Sequence, residues 1–160
     1  MSRTATSRIA HRRLDLHPST NDSGRPSPGA DSSVRDNAQT CLVLTVGGER
    51  VFSSGGSWLH PLFELERFLQ ESRIDPGECH LYDKLIGRAA ALLIVRLGIR
   101  RLTTGLLSSR GEQVLIAHGV QYQARERVDR LLCKTEELLC EVDDPDSAHA
   151  IILARIEANR

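Results

Sequence analysis

An α/β sandwich with an at least partly parallel sheet is the fold the sequence predicts, and three observations predict it. The chain has 160 residues, the size of one ordinary domain. Beyond residue 39, short apolar runs alternate with segments of helical period in the order ββαβαβαα, the middle strand being the weakest of the set. Gly and Pro fall between those segments, where reversals and helix starts need them. Folds of this class collect ligands at the carboxyl ends of strands and the amino ends of the helices that follow.

Residues 1–39 stand apart. They hold no aromatic residue and no Cys, and they are rich in Ser, Arg, Asp, Gly and Pro. Such a composition cannot bury enough surface to offset the entropy of ordering it, so a disordered extension is expected. Its first thirteen residues, MSRTATSRIAHRR, are basic and free of acids, which also loosely matches an organelle presequence. All six aromatics and all four cysteines lie further on, with 15 basic and 17 acidic residues, in a domain expected over residues 40–158.

Within that domain, CLVLTV (41–46) and ERVFSS flank Gly47–Gly48 and read as a β-hairpin. After Gly55–Gly56, Pro61 marks a helix start, and Leu62, Leu65, Phe68 and Leu69 follow at helical spacing. Pro76–Gly77 marks a loop, with a short strand expected at Cys79–Leu81. The stretch DKLIGRAAALLIVRL predicts a helix from about Asp83 to Leu97, apolar nearly all round and hence packed on most sides, with Gly98 as its left-handed cap. RRLTTGLL (100–107) reads as a strand. Ser109-x-x-Glu112 reads as the capping box of a helix to His118, and Val120–Ala124 as a further strand. A short helix at 134–140 and a last one opened by Asp144–Pro145 complete the order.

Several function classes are excluded by composition. The formal net charge is zero, so no one-sign field points to nucleic acid or an anionic membrane. No run of eighteen apolar residues predicts a membrane span. Cys41, Cys79, Cys133 and Cys140 show no regular spacing, which reads as reduced thiols of a cytoplasmic protein. Zinc is not expected, since C-x-x-C, H-E-x-x-H and H-x-E followed by P-C-x-x-C are all absent, and no cofactor is implied.

The candidate site residues follow from position. Asp83 at a helix amino end favours the helix dipole and caps free amides, or else accepts from a ligand. Lys84 is awkward for that dipole and so points to solvent, to an acid or to an anionic ligand; it is one of only two lysines, with Lys134. Gly87 inside a helix costs roughly 1 kcal/mol against Ala, which calls for the close approach of another backbone or of a ligand. Gly55 and Gly56 ahead of a helix either turn the chain or offer N–H groups to a phosphate. Cys133, at a helix start before Glu136, is either a small buried apolar residue or a thiol activated by the helix terminus.

The stretches LVLTVGGERVFSS, GGSWLHPLFEL and YDKLIGRAAALLIVRLGI together resemble a small family classed as a domain of unknown function. The resemblance runs from about Cys41 to Ala154. Residues 83–91 follow the family's Asp-Lys-hydrophobic-hydrophobic-Gly-Lys-Ala-Ala-Ala, with Arg88 in the Lys position. Cys133-Lys134-Thr135-Glu136 stands for its Cys-Pro-x-Glu without the Pro. The resemblance implies a three-layer α/β/α sandwich of cytidine-deaminase-like fold on a mixed sheet of about five strands, lacking the zinc motif. It also implies a pocket for a nucleotide or ADP-ribose-like ligand near Asp83 and Lys84, completed by Cys133 and Glu136. Two other readings stand beside it: an interaction module without a small ligand, and a metal-free enzyme using Cys133. Self-association through an edge strand stays open.

Overall fold

The computed structural model describes residues 40–159, so the expectation for residues 1–39 lies outside the described residues. β1 (Leu42–Val46) and β2 (Glu49–Ser54) form the expected hairpin, turning through Gly47 and Gly48 with φ of 58° and 88°. Two successive positive φ values define a turn whose twist matches the strands, and glycine adopts them without a Cβ clash. A register shift between Leu44 and Thr45 bulges the hairpin.

α1 (His60–Ser72) carries Pro61 in its first turn and buries Pro61, Leu62, Leu65 and Leu69. A single 3-10 turn at Pro76–Glu78 leads into β3 (Cys79–Ile86), followed by α2 (Arg88–Arg96), β4 (Arg101–Ser108), α3 (Ser109–Ala117) and β5 (Gln121–Val128). α4 (Lys134–Leu138) and α5 (Pro145–Ala158) close the chain, α5 being capped by Asp144, whose carboxylate accepts from the Ser147 amide at 2.8 Å.

The five strands form one mixed sheet in the order β2-β1-β3-β4-β5. β1 is antiparallel to both β2 and β3, while β3, β4 and β5 run parallel. Leu42, Leu44, Leu81 and Leu102 are buried on one face against the helices. The alternate residues His80, Tyr82, Lys84, Arg101, Gln121 and Gln123 are exposed on the other. Among the described residues the helices therefore cover one face, and α5 stacks on α1 and α2 as a further layer. Glu66 ties that stack together, bonding Arg96 of α2 and His149 of α5, the latter at 3.0 Å. The second outer helical layer expected of an α/β/α sandwich is not found among the described residues.

The largest correction concerns the segment around Asp83. Asp83 and Lys84 lie in β3, and the helix begins only at Arg88, with Gly87 as its N-cap. The period of two set by buried Cys79, Leu81 and Asp83 outruns the helical signal, because β3 has a partner on each side. Asp83 pairs with Leu42 of β1 and Thr104 of β4, and the ladder to β4 continues through Ile86. β5 likewise runs past Ala124 to Val128, over the charged residues Arg125–Arg127 of an edge that gives no apolar signal. Ser108, not Ser109, caps α3, accepting from the Gly111 amide at 3.0 Å. Gly98, with φ of 79°, ends α2 as expected.

α3 meets the β3–α2 turn without side chains between them. A Cβ on Gly111 would lie 3.1 Å from the carbonyl oxygens of Ile86 and Gly87. Backbone cannot yield as a side-chain tip does, so Gly111→Ala is expected to lower stability by about 1–3 kcal/mol. Urea unfolding checks this; an unchanged midpoint would show the joint to be loose.

Candidate functional site

At the carboxyl end of β3 the chain enters α2, and a cavity of about 120 Å³ opens there. Its floor is Asp83 and Leu85 of β3 with Gly87 and the first turn of α2. Trp58 and Leu59, ahead of α1, form one wall; Leu131, Cys133, Thr135 and Glu136 form the other. A larger groove of about 370 Å³ lies on the open sheet face between His80 and Gln123. That groove is shallow and lined by ordinary surface side chains, whereas the smaller cavity is mainly apolar and encloses carboxyl groups. The smaller one is the better candidate.

Asp83 is 9% exposed. Its one side-chain hydrogen bond comes from the Leu85 amide to Oδ1 at 3.2 Å, and no donor lies at Oδ2. Burial pushes its carboxyl up to about 7, offset only in part by the backbone amides of Leu85 and Lys84. The Lys84 amide itself bonds the Cys41 carbonyl at 2.8 Å. Cys41 lies alongside, its thiol raised by burial first and by Asp83 second, and it donates to the Gly56 carbonyl at 3.0 Å.

Glu136 is buried too, but both of its oxygens are occupied. Ser108 Oγ donates to Oε1 at 2.5 Å and the Leu131 amide to Oε2 at 2.7 Å. Arg88, also buried, donates through Nε to the Leu139 carbonyl at 2.6 Å and through Nη2 to the Val142 carbonyl at 2.7 Å and to Asp143. These bonds hold α4 over the amino end of α2. Trp58 completes the rim: it has φ of 56°, a conformation costing a bulky residue roughly 1–2 kcal/mol, and its indole N–H donates to Thr135 Oγ1 at 2.9 Å.

Of the residues singled out from sequence, Asp83, Gly87, Cys133 and Glu136 line this cavity. Lys84 does not: it is exposed one step along β3. Gly55 and Gly56 do not line it either. The Gly56 amide donates to Ser54 Oγ at 3.3 Å and a Cβ there would lie 3.4 Å from the Pro61 ring, so Gly56 shapes the turn. Gly87 is an N-cap, and a Cβ there would sit 2.8 Å from Leu131 Cδ1 and 3.4 Å from Glu136 Oε1. Cys133 is exposed, and no imidazole lines the cavity. Among the described residues, no group of three or more His, Cys, Asp or Glu side chains is placed to hold a metal ion.

Sequence reasoning missed Trp58, Leu131 and the Ser108–Glu136 bond. The only Trp of the chain, directly after a Gly-Gly-Ser turn, was a usable signal for the first. The other two depend on contacts made across 28 residues or through a loop, which no local pattern carries.

These features belong to a domain family without an assigned activity. Residues 32–156 match the model of the family described as a domain of unknown function, DUF1893 (TM1506), and the chain belongs to that family. Among solved structures it is similar to the crystal structure of a DUF1893 family protein (TM1506) from Thermotoga maritima, with 24% identity and a TM-score of 0.65. That match covers 72% of this chain and 80% of the other, and at such identity it speaks to the fold alone. The comparison with curated proteins returns no match.

The raised carboxyl of Asp83 has a consequence for stability. Its folded-state pKa of about 7 stands above the unfolded value of 3.8, so the folded form holds the proton more tightly. The carboxyl is harmless below about pH 4, and its destabilising effect grows as pH rises to 7. Asp83→Asn is therefore expected to gain about 2–4 kcal/mol on the native chain between pH 4 and pH 8. Urea titrations at the two pH values measure it; an equal difference at both would mean that Asp83 ionises normally.

Proposed function

We propose that this domain is a cytidine-deaminase-like module that binds a nucleotide-like ligand in the Asp83 cavity without zinc-dependent deamination. The observation that carries the reading is a buried carboxyl, in an apolar cavity at the amino end of a helix, with one oxygen lacking a donor. Burying such a group without a partner costs stability, and a ligand that supplies the partner recovers it. The sheet order, an antiparallel hairpin beside three parallel strands, supports the deaminase-like assignment. The cavity volume of about 120 Å³ suits one ring, so the rest of a nucleotide would lie outside it.

Binding is favoured over turnover because Cys133 has no imidazole beside it to take its proton. No helix among the described residues is long and apolar enough to cross a membrane, and in this reading the protein works in the cytoplasm with its thiols reduced. The competing reading, an interaction module, draws on the exposed sheet face that carries His80, Tyr82 and Arg101.

A thermal-shift panel of nucleobases, nucleosides, nucleotides and ADP-ribose on the full chain tests the proposal. A ligand at a hundredfold excess over its Kd adds about 2.7 kcal/mol, which raises the midpoint by several degrees. The shift is expected to vanish in Asp83→Leu and to be indifferent to a chelator. A flat response to the whole panel would favour the interaction module.

A further inference from the structure

We infer that the cavity selects a neutral ring with a hydrogen-bond donor beside an acceptor on one edge, as in the cyclic-amide edge of an oxo-pyrimidine or oxo-purine. The inference rests on the reading of the Asp83 cavity as a ligand site and names the chemistry that it takes.

The hydrogen-bonding groups facing the cavity decide this. Glu136 has both oxygens bonded, and the Arg88 guanidinium is engaged by two carbonyls and Asp143. Asp83, nine-tenths buried as a residue, lines the cavity and leaves Oδ2 as an acceptor without a donor. The amino end of α2 supplies the complement. No side chain caps this nine-residue helix, and its first amide bonded within the helix is Ala91, to the Gly87 carbonyl at 3.0 Å. The amides of Arg88, Ala89 and Ala90 precede it, in residues that line the same cavity.

A ligand here must donate to Asp83 and accept from α2. A phosphate would meet two carboxyls with no free cation to offset them, and no Lys or His side chain lines the cavity. A cationic ring would suit Asp83 but face the positive end of the α2 dipole. A neutral edge with one donor beside one acceptor satisfies both. Acyclic secondary amides hold their N–H and C=O on opposite sides, because the cis form costs about 2.5–4 kcal/mol. A lactam ring fixes them on the same side, and a single ring matches the cavity volume of about 120 Å³.

Trp58 provides the measurement. It is the only Trp of the chain, it is 44% exposed at the rim, and its indole is bonded to Thr135. Titrating the full chain with 2-pyridone is expected to change Trp58 fluorescence saturably. 1-Methyl-2-pyridone, which lacks the N–H, should bind at least tenfold more weakly, as should benzamidine and benzoate. Asp83→Leu should abolish the response while circular dichroism shows an intact fold, and Asp83→Asn, which keeps an acceptor oxygen, should retain part of it. Equal or tighter binding of the N-methylated, cationic or anionic ring would overturn the inference and leave the cavity standing as a ligand site. Silence from all four rings, with a nucleotide response in the thermal panel that survives Asp83→Leu, would overturn it by locating the ligand elsewhere. Silence in both experiments would remove the ligand reading altogether.

Discussion

The burial of α2 is the constraint on which the rest of this domain depends. Seven of its nine residues, Arg88 through Ile94, are buried, and α1, α3, α4, α5 and β3 all pack against it. A helix enclosed on that many sides has to have its terminal polar groups satisfied by protein. The carboxyl end meets this requirement. Gly98 takes a left-handed conformation, its amide bonds the Val95 carbonyl, and the Ile99 amide bonds the Ile94 carbonyl. The amino end does not, for Gly87 offers no capping side chain. The one incomplete terminus of the central helix is also where Asp83 is buried without a full set of partners. Helix amides without acceptors and one carboxyl oxygen without a donor thus share one cavity.

That cavity is roofed by a segment with little structure of its own. α4 has five residues, too few to hold a helix by backbone bonds alone. Three side-chain contacts from distant parts of the chain position it: Glu136 with Ser108, Arg88 with the Leu139 and Val142 carbonyls, and Trp58 with Thr135. Each joins a different element to the segment, from β4, α2 and the loop before α1 respectively. The roof is accordingly a product of the whole fold, and a change in any of the three elements alters the mouth of the cavity.

Membership of the DUF1893 family and likeness to the Thermotoga maritima structure account for the architecture and leave the chemistry to the site. The two carboxyls within the cavity differ in kind. Glu136 is fully bonded and acts as a structural strut. Asp83, nine-tenths buried and with one oxygen lacking a donor, is the group whose carboxyl is pushed up to about 7 by burial. Lys84, its neighbour in sequence, is directed by the pleat of β3 to the exposed side, so adjacency along the chain separates the two residues in space.

Much of the element order was legible in the sequence because each piece carried a local signal. The Gly47–Gly48 turn, Pro61 at the start of α1, Gly98 after α2 and Asp144–Pro145 before α5 all act within a few residues of themselves. The choice of Asp83, Gly87, Cys133 and Glu136 as candidates also rested on local patterns and on a family resemblance. What local pattern could not supply was the state of residues 83–86. Their apolar spacing reads as helix, yet pairing with β1 on one edge and β4 on the other makes them strand. Ser108 displaced Ser109 as the α3 cap for a related reason, since β4 runs one residue further than its own composition indicates. By itself, then, the sequence determined turns, caps and the buried helix, whose causes lie within one turn of chain. Tertiary structure alone decided where β3 ends, which face Lys84 takes, and that Asp83 lies under Trp58 and Leu131, because those follow from hydrogen bonds and packing between segments remote in sequence.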